Sequence, residues 1–410
     1  MSLQQTPSGE RLHIGFFGRR NAGKSSLVNA ITGQEMSIVS EAKGTTTDPV
    51  RKAMELLPLG PVLIIDTPGF DDSGALGSLR VQKMRDILRE TDIAVLVVDG
   101  TVGPTPPDHE LVRLFQERGT PFISVFNKAD LLISPSTSHN SHEIAVSAVT
   151  GYHIQECKEL IARMAPKNEH RKLLEDLISP GDVVVLVTPI DTAAPKGRLI
   201  LPQVQATRAI LDANGIAIVA QKTELQQTLA SLCKAPSLVT TDSQAFDYVS
   251  QILAPEIPLT SFSILFARYK GFLDCAVEGV HALDQLPAAA RILVAEGCSH
   301  HRQCGDIGTI RLPRWIQAHT GKDFQFAFCS GHDFPEDLSP YDFILHCGGC
   351  MLNETAIFSR MRLAQSQSMP FTNYGVLIAH MNNILNRCLL GGRLLDANPA
   401  KSLDNTPQMQ

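Results

Sequence analysis

The chain has no run of 18 apolar residues, and its first eleven residues are polar, with no cationic start leading into an apolar core. A membrane-spanning helix and an export signal are therefore not expected. It also lacks the dense, even-numbered cysteine set of a secreted disulfide scaffold. Nine cysteines in 410 residues are few and odd in number, which favours a reducing compartment, the cytoplasm. Positive charge is not in excess either. The formal net charge of -6 gives no global attraction to a phosphate backbone, so nucleic acid is not expected as the main partner. Internal repeats and low-complexity tracts are missing too.

What the chain does have is length and an ordinary globular composition, 43% hydrophobic and 19% charged over 410 residues, which suits two or three domains. Short apolar runs alternate with amphipathic stretches almost throughout. That is the pattern of βαβ units, so the expected class is α/β with mostly parallel sheets: a nucleotide-binding fold followed by two smaller α/β domains. The charged stretch 166–172 and Ser179-Pro180-Gly181 separate the first domain (1–170) from the second (171–258); Pro255 and Pro258 separate the second from the third (259–410). Helix signals at Pro202 and Gly215 and a strand at residues 216–220 are expected in the middle domain. Residues 262–266 read as a strand, and a helix is expected from Met351 onward.

Residues 12–17 form an apolar run that ends in Gly18-Arg19-Arg20-Asn21-Ala22-Gly23-Lys24-Ser25, and helix-like sequence follows from Ser26. Strand, glycine loop and helix in this order make a P-loop: backbone N–H groups face phosphate oxygens, Lys24 meets the β and γ phosphates, and Ser25 binds Mg²⁺. Asp66-Thr67-Pro68-Gly69 follows a second apolar run, which puts Asp66 at a strand end for Mg²⁺ and Gly69 beside the γ phosphate. Asn127-Lys128-Ala129-Asp130 follows a third. The Asp130 carboxylate can accept from guanine N1–H and the 2-amino group, which adenine does not offer. Ser147-Ala148 is placed as a last base-contacting loop.

Taken together these motifs resemble a translation-factor-like P-loop GTPase of the TrmE–Era type over about the first 150 residues. Phe70 stands where Ras-like enzymes keep the water-orienting glutamine. Asn21 and the Gly44-Thr45-Thr46-Thr47-Asp48 stretch resemble potassium-activated GTPases. That resemblance implies Asn21 and Thr45 near K⁺ and Thr46 on Mg²⁺, although Thr47 replaces a common arginine.

A second constellation lies near the other end, in Cys298-Ser299-His300 and His346-Cys347-Gly348-Gly349-Cys350. Each half follows a strand-like run. In one parallel sheet both would emerge at the same edge. Three thiolates suit a [4Fe-4S] cluster with one exchangeable iron, whereas two or three Cys with a His suit tetrahedral Zn²⁺, and buried unreactive cysteines remain the plain alternative. His300, His301 and His346 are candidates for a fourth ligand or an outer hydrogen-bonding role, Glu296 is a nearby oxygen donor, and Cys304 and Cys329 read as free thiols.

This pairing of GTPase and cysteine motifs resembles the HydF family of [FeFe]-hydrogenase maturation GTPases over essentially the whole chain. Thr188-Pro189-Ile190-Asp191 with residues 194–203, and residues 260–271, are similar to that family's linking and cluster-domain sequences. The resemblance implies that Cys298, Cys347 and Cys350 hold a [4Fe-4S] cluster and that His300 and His346 belong to the same motif. It also implies that the middle domain forms a homodimer. The implied role is a scaffold that receives a diiron precursor bearing CO and cyanide, made with the radical enzymes HydE and HydG, and delivers it to apo-[FeFe]-hydrogenase. An RNA-modification or ribosome-assembly GTPase, suggested by the G domain alone, and a zinc-stabilised regulatory GTPase are the competing expectations.

Overall fold

The computed structural model describes residues 6–33, 49–69, 76–132, 141–166, 171–189, 199–297, 306–331 and 333–395. They fall into two compact units divided between residues 168 and 169. Among the described residues no helix is long and apolar enough to cross a membrane.

The N-terminal unit is built on six strands: β1 (Leu12–Phe17), β2 (Val50–Leu56), β3 (Gly60–Asp66), β4 (Ile93–Asp99), β5 (Phe122–Asn127) and β6 (Glu143–Ala145). Their order is β2-β3-β1-β4-β5-β6, with only the β2–β3 pair antiparallel. Parallel central strands are covered on both faces, which is why β4 reads as an unbroken apolar run. Its alternate residues separate cleanly: Val95 and Val97 enter one core with Ile14 and Leu27, and Leu96 and Val98 enter the other with Phe17 and Phe115.

The second unit holds two further sheets, both wholly parallel. One has the order β10-β9-β7-β8, from β7 (Val183–Val187), β8 (Ile216–Ala220), β9 (Leu238–Thr241) and β10 (Leu259–Ser261). The other has the order β12-β11-β13-β14, from β11 (Arg291–Glu296), β12 (Gln325–Ser330), β13 (Phe343–His346) and β14 (Phe371–Asn373). Buried residues of both sheets belong to one continuous core. Polar ties cross between them as well. The Arg387 guanidinium donates to the carbonyls of Leu253, Ala254 and Ile257, and Ser263 Oγ bonds Asn373 Oδ1 at 3.1 Å.

Two sequence expectations are corrected here. Residues 262–266 are not a strand: Phe262–Tyr269 is a helix directly after the short β10. Ser261 makes the switch, because its hydroxyl caps the helix by accepting from Ile264 N at 3.2 Å. The helix is buried around much of its circumference, so its sequence is apolar without a helical period and mimics a buried strand. The helix expected from Met351 starts at Glu354, after the Asn353 side chain accepts from Ala356 N.

Ser261 Oγ also accepts from the buried Ser243 hydroxyl at 2.9 Å. Replacing Ser261 with alanine is expected to lower the unfolding free energy of the second unit by about 1–2 kcal/mol, the cost of a lost cap with a stranded hydroxyl. Urea unfolding followed by far-UV circular dichroism measures it; an unchanged midpoint would contradict the capping role.

Candidate functional site

The sharp turn after β1 is set by backbone conformation. Asn21 adopts φ 64° and Gly23 φ 88°, and a Cβ at Gly23 would lie 2.2 Å from Asn127 Nδ2, so only glycine fits. The helix Lys24–Thr32 starts there with no side chain capping its N-terminus. Its first N–H groups and positive dipole end are therefore directed to an anion at the loop mouth. Lys24 Nζ bonds back to the carbonyls of Gly18 and Arg19 at 3.0 and 2.9 Å, across the same loop. Ser25 and Ser26 are exposed at the helix start, and Ala22 is buried under the loop.

Asp66 ends β3 beside β1, with Phe16 and Asp66 in register. Its Oδ2 accepts from Ser25 Oγ at 2.7 Å, while Oδ1 is buried without a hydrogen-bond partner. Burial pushes the Asp66 carboxyl up, against the Ser25 hydroxyl and the Lys24 charge. An orphaned carboxylate oxygen next to a hydroxyl is a hard-oxygen donor pair, and it fits Mg²⁺. Gly69 packs against the Arg20 backbone, closing the loop from the other side. Thr45, Thr46 and Phe70 lie outside the described residues.

Asn127 is a tether rather than a surface residue. Its Nδ2 donates to Ala22 O at 3.1 Å and its Oδ1 accepts from Ala148 N at 3.1 Å, so one buried side chain joins the phosphate loop to the 147–148 loop. Lys128 pairs with Asp99 at 2.6 Å. Asp130 accepts from the buried Ser147 hydroxyl at 2.5 Å, and a cavity lined by Ala129, Asp130, Thr150 and Tyr152 opens beside it. Asp130 and Ser147, expected to act on one base, are thus hydrogen-bonded to each other, and Asp130 lines the cavity.

At the second constellation β11 pairs with β13, Ala295 opposite His346, so both chains leave the sheet at one edge. Cys347 N bonds Ala295 O at 3.0 Å. Cys347 Sγ accepts from Gly297 N at 3.0 Å and from Gly349 N at 3.4 Å. Gly349 has φ 67°, and a Cβ there would lie 2.3 Å from Ile357 Cδ1, so the Cys-Gly-Gly-Cys turn needs this glycine. Cys347 and Cys350 are both free and half-buried. Burial pushes both thiols up, Cys350 to about 12; backbone N–H groups of Gly297 and Gly349 work against this at Cys347, and the Lys270 charge works against it at Cys350. Cys298, His300, His301 and Cys304 lie outside the described residues, but Cys298 directly follows Gly297, whose amide touches the Cys347 sulfur. Free thiols with N–H groups aimed at sulfur fit a thiolate-bound cluster.

His346 is fully committed within the protein. Nδ1 bonds Cys347 O at 2.7 Å and Nε2 faces Arg360 Nη1 at 2.9 Å, so Nδ1 donates and Nε2 accepts in a neutral ring. Burial, then the Arg360 charge, pushes its pKa down to about 3. The ring stacks on Phe371 beneath the cysteine loop, which is the geometry of an outer hydrogen-bonding residue. Glu296 is buried, with the Tyr374 hydroxyl 3.3 Å away. Cys329 lies on β12 opposite Ala295, close to this edge, with its thiol pushed by burial to about 11. Sequence reading missed Arg360 and Lys270 as members of the site. A lone arginine in an amphipathic helix and a lysine after an apolar run carry no spacing signal.

Comparison with known proteins divides the chain in three. Residues 13–128 match a family model described as 50S ribosome-binding GTPase, residues 173–271 the hydrogen maturase F dimerization domain, and residues 274–390 the hydrogen maturase F tetramerization domain. The latter two stretches together exceed half of the 410 residues. GTPase Der of Kosmotoga olearia is 38% identical over 30% of this chain and 29% of its own length. The tRNA modification GTPase MnmE of Nitrosospira multiformis is 36% identical over 35% of this chain and 32% of its own. The chain thus spans about a third of the curated relatives it matches. A crystal structure of a probable GTP-binding protein engB is 25% identical over 37% of this chain and 97% of its own, with a TM-score of 0.31.

Replacing Asn127 with alanine strands the Ala22 carbonyl and the Ala148 amide together. The unfolding free energy of the N-terminal unit is expected to fall by about 1–3 kcal/mol, with the second unit unaffected. Hydrogen exchange resolved by peptide checks it: loss of protection confined to residues around 18–24 and 146–151 is expected, and no change there would remove the tether.

Proposed function

Because the chain belongs to the hydrogen maturase F family, we propose that it is a GTP-hydrolysing scaffold that carries a [4Fe-4S] cluster and a diiron precursor and delivers the diiron unit to apo-[FeFe]-hydrogenase. The observation that carries this reading is the 3.0 Å bond from Gly297 N to Cys347 Sγ, which brings the chain next to Cys298 onto the Cys347–Cys350 loop. Cys298, Cys347 and Cys350 would hold the cluster, with His346 and His300 as outer residues of the motif. When bound, the cluster supplies an iron with an exchangeable position.

At the nucleotide site the N–H groups of the loop 18–23 and Lys24 bind the phosphates, and Ser25, Asp66 and Thr46 would hold Mg²⁺. The ion, when bound, neutralises charge on the β and γ phosphate oxygens. Gly69 senses the γ phosphate from beside Arg20. Asn21 and Thr45 would hold K⁺ in the position an arginine finger takes elsewhere. Asp130 selects guanine, oriented by Ser147, while Asn127, Lys128 and Ala148 hold that loop. GTP hydrolysis then regulates partner exchange through a surface that differs between nucleotide states, with the HydE- and HydG-type radical enzymes upstream and hydrogenase downstream.

Self-association is supported by the edge strand β8, whose Ile216 and Val219 are 51% and 43% exposed. Among the described residues β8 has no strand on its outer side, and an apolar edge is a strand-pairing surface. The relatives named for tRNA modification reach only about a third of this chain, whereas the remainder matches hydrogen maturase F, so an RNA-directed role has no residues to rest on beyond the G domain.

Experiments at both centres test the reading. Steady-state hydrolysis should be faster in K⁺ than in Na⁺ for the intact chain. Asp130→Asn should lose GTP affinity by about 10²-fold, a charged hydrogen-bond pair, while gaining xanthosine triphosphate, whose 2-oxo group the amide can donate to. Unchanged nucleotide preference would remove Asp130 from base reading. Anaerobic reconstitution followed by one-electron reduction with dithionite should give a [4Fe-4S]⁺ signal by electron paramagnetic resonance, lost in Cys347→Ser, and the precursor-loaded protein should activate apo-hydrogenase. Zinc in place of iron, or activation that survives loss of the cysteines, would overturn the carrier role.

A further inference from the structure

Away from the cysteine loop, three segments of the second unit bring a carboxylate and two imidazoles to one point. Asp284 lies on the short helix Ala282–Gln285, His319 in the last turn of Leu312–Thr320, and His380 in the last turn of Tyr374–Met381. His319 Nε2 stands 3.1 Å from Asp284 Oδ1, and His380 Nε2 stands 2.8 Å from Oδ2. The donor atoms of all three residues lie within 4.8 Å of one another. A third imidazole, His281, stands edge-on to His380 with ring centroids 5.3 Å apart.

We propose that Asp284, His319 and His380 form a binding site for one divalent transition-metal ion of borderline softness, with Zn²⁺ the best match. Two imidazoles and a carboxylate are the donor set such ions take, and they leave positions open for water or a further ligand. Two helix C-termini converge on the site, so both negative dipole ends favour a cation there. Side-chain exposures of 47%, 27% and 17% for Asp284, His319 and His380 leave a path for an ion to enter. Lys322 is the cation beside the site, and its ammonium is turned onto the carbonyls of Asp284 and Leu286 at 3.0 and 2.7 Å.

Without an ion each Nε2–H donates to the Asp284 carboxylate, and coordination uses the Nε2 lone pair that is freed once the ring proton sits on Nδ1. Each neutral ring then carries its proton on Nδ1, so binding moves a proton within the imidazole and releases none from a neutral ring. The ion would join three helix ends inside the stretch matched by the tetramerization model. The site shares no residue with the cysteine loop.

Cobalt(II) is the probe, titrated into the full chain after chelator treatment. A His/carboxylate site gives visible d–d bands without the near-ultraviolet thiolate charge transfer that cysteine ligation adds. In a Cys347→Ser/Cys350→Ser background, one equivalent of Co²⁺ with d–d bands alone is expected, displaced by Zn²⁺. His319→Gln/His380→Gln and the separate Asp284→Asn variant should each weaken binding by more than the about 10- to 100-fold that outer-sphere partners cost. Far-UV circular dichroism of each variant confirms that its fold is kept, and in the wild-type chain the same thiolate-free component should be visible beside any cysteine-bound metal. No thiolate-free cobalt spectrum in the wild type, or affinity unchanged in both folded variants, would overturn the site.

Discussion

Parallel strand pairing is the constraint on which both candidate centres depend. In a parallel sheet every strand points the same way, so the loops after neighbouring strands share one edge however far apart they lie in sequence. Pairing of β1 with β3 brings Ser25 and Asp66 within a hydrogen bond across 41 residues, and pairing of β11 with β13 does the same for Gly297 and Cys347 across 50. The apolar strands that drive these pairings contribute little chemistry. They fix the edge, and the edge collects the polar residues.

Desolvation decides what each edge can hold. Asp66 is raised because its carboxylate is buried, with Oδ1 left without a partner, and Cys347 is raised for the same reason with two N–H groups on its sulfur. Ionising either group is made unfavourable by its burial. A cation at Asp66, and on the proposed reading iron at Cys347, would offset that penalty by stabilising the ionised donor. His346 is the complementary case: burial and Arg360 keep it neutral, and both of its nitrogens are committed, so it holds the loop instead of competing for the metal.

The sequence was legible where chemistry forces residue types into short, contiguous patterns. A loop that binds phosphate needs its glycines and lysine within eight residues, and strand ends before Asp66 and Asn127 announce themselves by apolar runs. The three α/β sheets followed from the same alternation. Legibility failed where the deciding contact is long-range or the period is lost to burial. The helix Phe262–Tyr269 is apolar on too many sides to show a helical period, and only the Ser261 cap distinguishes it from a strand. Arg360 reaches the strand residue His346 from the helix Glu354–Ser366, and Asp284 meets His380 across 96 residues, so neither pairing leaves a local trace. The single core shared by the two C-terminal sheets is a property of packed faces, which linear spacing does not encode.

The two kinds of centre differ in how they treat their ligands, and the difference follows from donor chemistry. The nucleotide site offers backbone N–H groups, a lysine and hard oxygens, all suited to a highly charged ligand whose grip changes when one phosphate is lost. The cysteine edge offers polarizable sulfur, with half-buried thiols, a cationic Lys270 beside Cys350 and a histidine withdrawn beneath. On the proposed carrier reading, tight, state-dependent binding at one centre and releasable holding at the other would be separate requirements, because a site that enclosed its cargo could not release it and a switch that lacked enclosure could not sense a phosphate. Housing them on separate sheet edges lets each be satisfied without compromising the other.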